Sequence, residues 1–436
     1  MTLKNKLTLT VLSLFFSTAN AQLTERTLTM EEVVQLALEN HTQLQLSKDN
    51  IQIARQQTRI AELQKLPSIN ATANAFYLGD ALILDKDFSK VATVNMPHFG
   101  NSYSVQASEL IFKGGLVKES IELSELREQL AELDHEKDAQ NIKFLVMSTY
   151  LDIQKIINQK NVYLNNRKLA TQRLENVNKF YKQGMVTRNE IIRGELLLKN
   201  LEQGILVLDN SRAALNYQLA IAIGISPDVL IEPAASFAEA TEAQELAYFQ
   251  EWAHQNHPVL KSAQTGISMS EKNIEIIRTD RMPTIAAFGG YSMARPVTST
   301  LPAQDFYTNT WQTGVSISYN IDNLYKTKEK EQLGKFQLNQ AKNVLVLQRQ
   351  NLDVQTNATW LKWREAVQQA KLYKESEELA NENYKIIEAK YLNQLALQAD
   401  MTDATNAKLE AELQYANSEI NVQYQYYSLL KTTGTL

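Results

Sequence analysis

The sequence predicts a mainly α-helical chain of long antiparallel coiled-coil helices that also carries four β-strands of membrane-barrel type, set out as two tandem structural repeats. Three observations predict it. The eight prolines leave 98–226 and 303–436 empty, as long helices require, because proline removes a helical hydrogen bond and clashes with the preceding turn. In each half the hydrophobic period switches from about 3.6 to 2 for short segments and then back. The chain also matches itself.

The self-match is ungapped over long stretches. ALENHTQL (37–44) and AHQNHPVL (253–260) share Ala37/Ala253, Asn40/Asn256, His41/His257 and Leu44/Leu260, and the same offset of 216 pairs Ile60 with Ile276 and Pro67 with Pro283. Farther on, an offset of 210 pairs Val105/Val315, Ile111/Ile321, Thr149/Thr359, Tyr181/Tyr391, Tyr217/Tyr427 and Gly224/Gly434. Six residues are therefore lost between Pro283 and Val315, where a loop is expected. Self-similarity of this length indicates duplicated architecture, with too few copies for a solenoid.

The elements follow in order. Residues 1–21, MTLKNKLTLTVLSLFFSTANA, have Lys4 and Lys6, a short apolar stretch and the small-residue pattern Ala19-Asn20-Ala21, which reads as a secretory signal peptide. The first repeat, 22–225, opens with Thr29 and Glu32 at capping-box spacing and a helix that ends before Pro67, since the residue before a proline avoids the helical region. In SINATANAFY (68–77), Ile69, Ala71, Ala73, Ala75 and Tyr77 alternate with Ser68, Asn70, Thr72 and Asn74. That strand pairs with 102–112 in a hairpin spanning 68–112. A helix over 116–182 contains neither Gly nor Pro and would span roughly 100 Å at the usual rise per residue. A tip, YKQGMVTRNE, leads to a return helix over 187–222.

Residues 226–245 join the repeats. The second repeat, 246–436, has the same order: a helix, a hairpin over 284–321, a long helix over 326–392, a tip, and a return helix over 397–431. WQTGVSISYNI (311–321) alternates most clearly, with Trp311, Val315, Ile317, Tyr319 and Ile321 on one face. Tyr77, Tyr103, Tyr291 and Trp311 lie toward one end of the strands, as membrane-interface aromatics do.

Composition narrows the function. The chain has no cysteine, so disulfides, thiolate metal sites and cysteine nucleophiles are excluded. Its net charge of -5 becomes about -7 once the two signal-peptide lysines are removed, which argues against nucleic acid as a partner. His254 and His257 have metal-pair spacing, but only His257 has a histidine mate, His41, and no third ligand is near in sequence. The shared histidine reads as local helix structure. No Ser-His-Asp order, phosphate loop or zinc-protease motif appears, so neither an enzyme nor a cofactor is expected.

Four strands apolar on one face cannot close a membrane barrel, whose smallest form has eight. Open edges in lipid would cost several kcal/mol for each unpaired backbone group, so the barrel must be shared with copies of the chain. Two copies give eight strands and a filled interior; three give twelve and room for a pore. Glu109 has the parity of the lipid-facing Tyr103, Val105, Ala107 and Ile111, and is tolerable only at the rim.

The order of signal peptide, LTMEEVVQLALENHTQL, strand hairpin, long helix, a tip reading YxxGMVT, then a second copy with AxxNHPxL and DMTDAT resembles the TolC-type outer-membrane efflux ducts over essentially the whole mature chain. The resemblance implies a homotrimer with a twelve-stranded barrel in outer-membrane lipid and a helical periplasmic cylinder closed at its far end like an iris. It also implies docking to a periplasmic adaptor (membrane fusion) protein and an inner-membrane efflux pump. Asp400 and Asp403 stand where the family places acidic rings at the narrowest point. Tyr391 and Glu190 stand where a tyrosine-to-acid hydrogen bond helps hold the returning helices closed. Ala396 stands where some members have a locking arginine. Gly184, Met185, Val186 and Thr187 match the adaptor-docking tip, with Leu395 at the second tip.

Asp400 and Asp403 taken alone would be acids favoured at a helix start by its dipole. In a trimer the two become six carboxylates around one axis, and each pair at about 6 Å repels by roughly 0.7 kcal/mol in water, more in a poorly hydrated throat. Such a ring would attract cations and press the closed state toward opening. Two rival readings are a periplasmic coiled-coil adaptor and a structural envelope protein without a pore.

Overall fold

The computed structural model describes residues 24–234 and 244–436. The signal-peptide reading at 1–21 and the middle of the joining segment 226–245 lie outside the described residues. In the first repeat the chain forms β1 (Thr24–Leu28), α1 (Met30–Asn40), α2 (Thr42–Glu62), β2 (Ser68–Tyr77), β3 (Ala81–Leu84), β4 (Lys90–Val94), β5 (Phe99–Phe112), α3 (Leu116–Lys182) and α4 (Arg188–Ile223). The second has β6 (Val229–Pro233), α5 (Leu246–Asn256), α6 (Pro258–Thr279), β7 (Thr284–Arg295), β8 (Thr308–Ser318), α7 (Asn323–Leu392) and α8 (Gln398–Thr433).

Three features differ from the sequence reading. The first helix of each repeat is two helices, broken at His41 and His257, whose backbones are extended (ψ 123° and 122°). Each imidazole Nδ1 accepts a hydrogen bond from the backbone N–H two residues on, Gln43 at 3.1 Å and Val259 at 3.2 Å. The shared histidine is thus a helix N-cap, which satisfies one of the otherwise orphaned N–H groups at a helix start. Second, the last strand runs 308–318 rather than 311–321. The chain turns at Asp322, which pairs with Lys326, and Asn323 Nδ2 donates to the Asp280 carbonyl at 2.9 Å. Third, an unexpected small hairpin, β3 with β4, lies between β2 and β5.

The N-caps have a pH consequence. Burial lowers the pKa of His257, and of His41, below the ordinary value, so the folded protein favours the neutral ring that can accept the bond. Between that depressed value and the unfolded value of about 6.5 the unfolded state binds more protons. The cap's contribution is therefore complete above about pH 6.5 and is lost as the pH falls below it. We expect the urea midpoint of the wild type to fall between pH 7.5 and pH 5. His257→Asn, which keeps a capping acceptor without titrating, should flatten part of that dependence; an unchanged profile would refute the cap assignment.

Contacts divide the chain into two compact units. One holds the residues through Ala37, Val146–Glu239 and Glu377–Ile420. In it β1 and β6 pair in parallel, Thr24 with Val229 through Leu28 with Pro233. The Asn216 amide of α4 clamps β6 from both sides, donating to the Val229 carbonyl at 2.8 Å and accepting from Ile231 N at 2.7 Å. Tyr150 of α3 donates to the Leu28 carbonyl at 2.9 Å. Around them Leu28, Val33, Ile153, Leu219, Ile223 and Ile231 are buried. α3 and α4 approach closely at Gly194 and Gly204, where Leu174 and Tyr163 occupy the space a Cβ would need.

The other unit holds Leu38–Leu145, Ala240–Ser376 and Asn421–Leu436. Its four-stranded antiparallel sheet has the order β2-β5-β7-β8. Register puts Ile69, Ala71, Ala73 and Tyr77 in one face with Tyr103, Val105 and Ala107, then Ala287 and Tyr291, then Trp311, Val315 and Ile317. The opposite face carries Asn70, Thr72, Asn74, Ser102, Ser104, Gln106, Ser292, Thr310, Gln312 and Ser316. The apolar face is bare, with Ile69 69% exposed, Ile317 72% and Trp311 78%. On the polar face Phe76 and Phe288 lie over their cross-strand glycines, Gly100 and Gly314. Glu109 pairs with Ala287 three residues from the helical end of β5, a rim position. Helices below the sheet are tied by ion pairs of Lys272 with Glu119 and Glu122, and of Arg278 and Arg281 with Glu331.

Candidate gate at the helical tips

Both long helices end in the same turn. At the first tip Gly184 N–H bonds to the Tyr181 carbonyl and Met185 N–H to the Phe180 carbonyl, both at 2.9 Å; at the second, Gln394 bonds to Tyr391 at 2.9 Å and Leu395 to Lys390 at 2.8 Å. This pair of bonds satisfies carbonyls at a helix end and requires a left-handed residue. Gly184 has φ +73° and Gln394 φ +64°, so the second tip carries a strained non-glycine residue where the first has glycine. Thr187 is the N-cap of α4. Met185 and Leu395 are exposed.

Asp400 and Asp403 are both exposed, one turn apart on α8, while Met401, Ala404, Thr405 and Lys408 of the same helix are buried. Asp400 Oδ2 accepts from Leu397 N at 2.9 Å, so it caps the helix start as well as facing outward. Tyr391 and Glu190 are neighbours. Burial and then the Glu190 charge push the Tyr391 phenol up, while Arg173 opposes them. The hydrogen bond implied for that pair is absent from the protomer: Tyr391 OH and Glu190 Oε2 are each buried without a partner.

The sequence reading missed Arg173. From α3 its Nη1 donates to Thr405 Oγ1 on α8 at 2.9 Å, and its Nη2 to Tyr384 OH on α7 at 3.0 Å. Tyr384 in turn donates to Glu388 Oε1 at 2.8 Å. Lys408 Nζ lies 4.7 Å over the Tyr384 ring and 3.5 Å from Glu412, which also accepts from Asn166 Nδ2 at 2.6 Å. A cleft of ≈ 290 Å³ beside this cluster is lined by Arg173, Glu190, Arg193, Gln398, Thr402 and Asn406, among others. The repeat comparison held a signal: the mate of Arg173 is Asn383 and that of Tyr384 is Leu174, so the cluster exists once per chain.

Elsewhere His254 Nε2 contacts Asp353 Oδ1 at 2.7 Å, and no group of three potential metal ligands occurs among the described residues. Among those residues no helix is long and apolar enough to cross a membrane.

A duplicated four-stranded sheet set on long helical hairpins defines the class: an outer-membrane channel of the efflux type, not an enzyme. The particular family is then carried by sequence, because residues 251–435 match the model of the outer membrane efflux protein family, as the resemblance to TolC-type ducts implied. No curated protein matches the chain. The fold is that of CusC (TM-score 0.78, 15% identity, covering 93% of this chain and 91% of that one). It is equally that of the outer-membrane protein VceC of Vibrio cholerae (0.74, 11%, 93% and 96%) and the CmeC outer-membrane channel of Campylobacter jejuni (0.75, 15%, 93% and 85%).

Proposed function

We propose that the chain assembles as a homotrimer forming the exit duct of a tripartite efflux or secretion system, with an iris-like gate at its helical tips. The observation that supports it most is the open sheet. β2 pairs only with β5 and β8 only with β7, and an unpaired edge is not viable in lipid. Three copies close twelve strands, with the Ser, Thr, Asn and Gln face toward the bore. α7 adds a second argument, because Leu347, Val354 and Leu361, seven apart, are exposed in one unit, and Leu379 and Ile386 in the other. A heptad seam left bare on one copy is covered by a helix of the next. An adaptor would have no use for a sheet of this parity.

In the closed trimer Asp400 and Asp403 form the acidic throat, Tyr391 and Glu190 brace the returning helices, and Gly184, Met185, Val186, Thr187 and Leu395 form the adaptor-docking rim. The inner-membrane pump lies beyond that adaptor. Planar-bilayer recording tests the gate: wild-type conductance should be low, and Asp400→Ala/Asp403→Ala should raise it and weaken block by divalent cations. A double variant with unchanged conductance and unchanged cation block would remove the gate from this place.

A further inference from the structure

We propose that Arg173 is the clamp that holds the gate shut within each protomer, tying α7 and α8 to α3 and so positioning the two helices that carry Tyr391, Asp400 and Asp403. The proposal rests on the gate reading above and adds a residue that neither the repeat pattern nor the resemblance assigned.

The argument is one of directed hydrogen bonds. Each acceptor of Arg173 has its own proton committed elsewhere: Tyr384 donates to Glu388, and Thr405 Oγ1 donates to the Met401 carbonyl at 2.6 Å. Each therefore offers a lone pair to the guanidinium, and the planar fork reaches two helices at once, which a lysine ammonium cannot reproduce. The acceptors are deeply placed, Tyr384 being 5% exposed and Thr405 6%. Separating α7 and α8 from α3 would break both bonds together and leave a half-buried cation without partners, a costly state where water is scarce. Burial also raises the Tyr384 phenol, which keeps its proton available to Glu388.

Position fits the role. Arg173 lies eleven residues before Gly184, about three helical turns or roughly 16 Å along α3, far enough from the tip to leave its surface free for a partner. The second tip has Ala396 where a locking arginine is implied by the resemblance. The Tyr391–Glu190 bond is also unmade, so the tip itself supplies little closing force. Arg173 Nε, Glu190 Oε2 and Gln398 Oε1 remain unpartnered beside the cleft, leaving the fork's two Nη groups as its made contacts.

The test compares trimers in planar bilayers. Removing two charge-assisted bonds should shift the open-to-closed ratio about tenfold or more in Arg173→Ala. Arg173→Lys should restore closure only in part, and Tyr384→Phe should open the duct while adding nothing in Arg173→Ala/Tyr384→Phe, as members of one network behave. A purely structural arginine would lower the heat stability of the trimer and leave closed conductance as it was. If Asp400→Ala/Asp403→Ala opens the duct and neither Arg173→Ala nor Tyr384→Phe does, the clamp is refuted and the gate stands. If the Arg173 and Tyr384 variants open it and the Asp variant does not, the clamp holds and the acidic throat is refuted. Silence from all of them refutes both.

Discussion

Gly434→Ala is expected to be the most damaging single-methyl change in the chain. Gly434 has φ +72°, and a Cβ there would stand 2.8 Å from His257 Cα and 3.1 Å from His257 N. The obstacle is backbone, so no rotamer relieves it. The left-handed conformation costs an alanine about 1–2 kcal/mol, and forcing an atom into filled space adds about 1–3 kcal/mol. The site is also a junction, since the Gly434 carbonyl accepts from Gln140 Nε2 of α3 at 2.9 Å and His257 is the cap of α6. We expect a loss of about 3 kcal/mol in urea unfolding, summing those two terms. Gly184→Ala is the control. It shares the positive φ, +73°, but nothing lies within 4 Å of its Cβ position, so only the backbone cost of about 1–2 kcal/mol should appear. Equal losses in the two variants would show that the contact with His257 has no energetic weight.

The second large effect separates the two faces of the sheet. Ala71 pairs with Val105 on the apolar face and its neighbour Thr72 pairs with Ser104 on the polar one. An arginine facing lipid near mid-membrane costs about 2–4 kcal/mol, whereas one facing a water-filled bore is tolerated. Ala71→Arg should therefore lose about 2–4 kcal/mol of folding stability in liposomes, and Thr72→Arg little. Heat-dependent gel migration across a urea series measures both. A larger loss from Thr72→Arg would mean that the polar face, not the apolar one, meets the lipid.

The repeat and the strand parity were legible in the amino acids because both are written as local periods. A ten-residue alternation or a proline-free helix needs no knowledge of what it packs against. The break at His41 was not legible, since an imidazole acting as a helix cap looks no different in sequence from one buried in a helix. The end of β8 depended on an Asp322–Lys326 pair and on Asn323 reaching the Asp280 carbonyl, a contact between residues 43 apart. The tip residues could be placed by register with the first repeat. What closes the tip could not, because Arg173, Tyr384 and Thr405 are 211 and 232 residues from one another along the chain, measured from Arg173.

By itself the sequence determined a duplicated chain of long helices with four strands too few to close, and so a protein that must be completed by its copies, because periodicity and proline placement act within a single element. Only the tertiary structure decided which faces of those elements meet. A hydrogen bond requires a direction as well as a neighbour, and the direction of the Arg173 fork exists only once three helices are side by side.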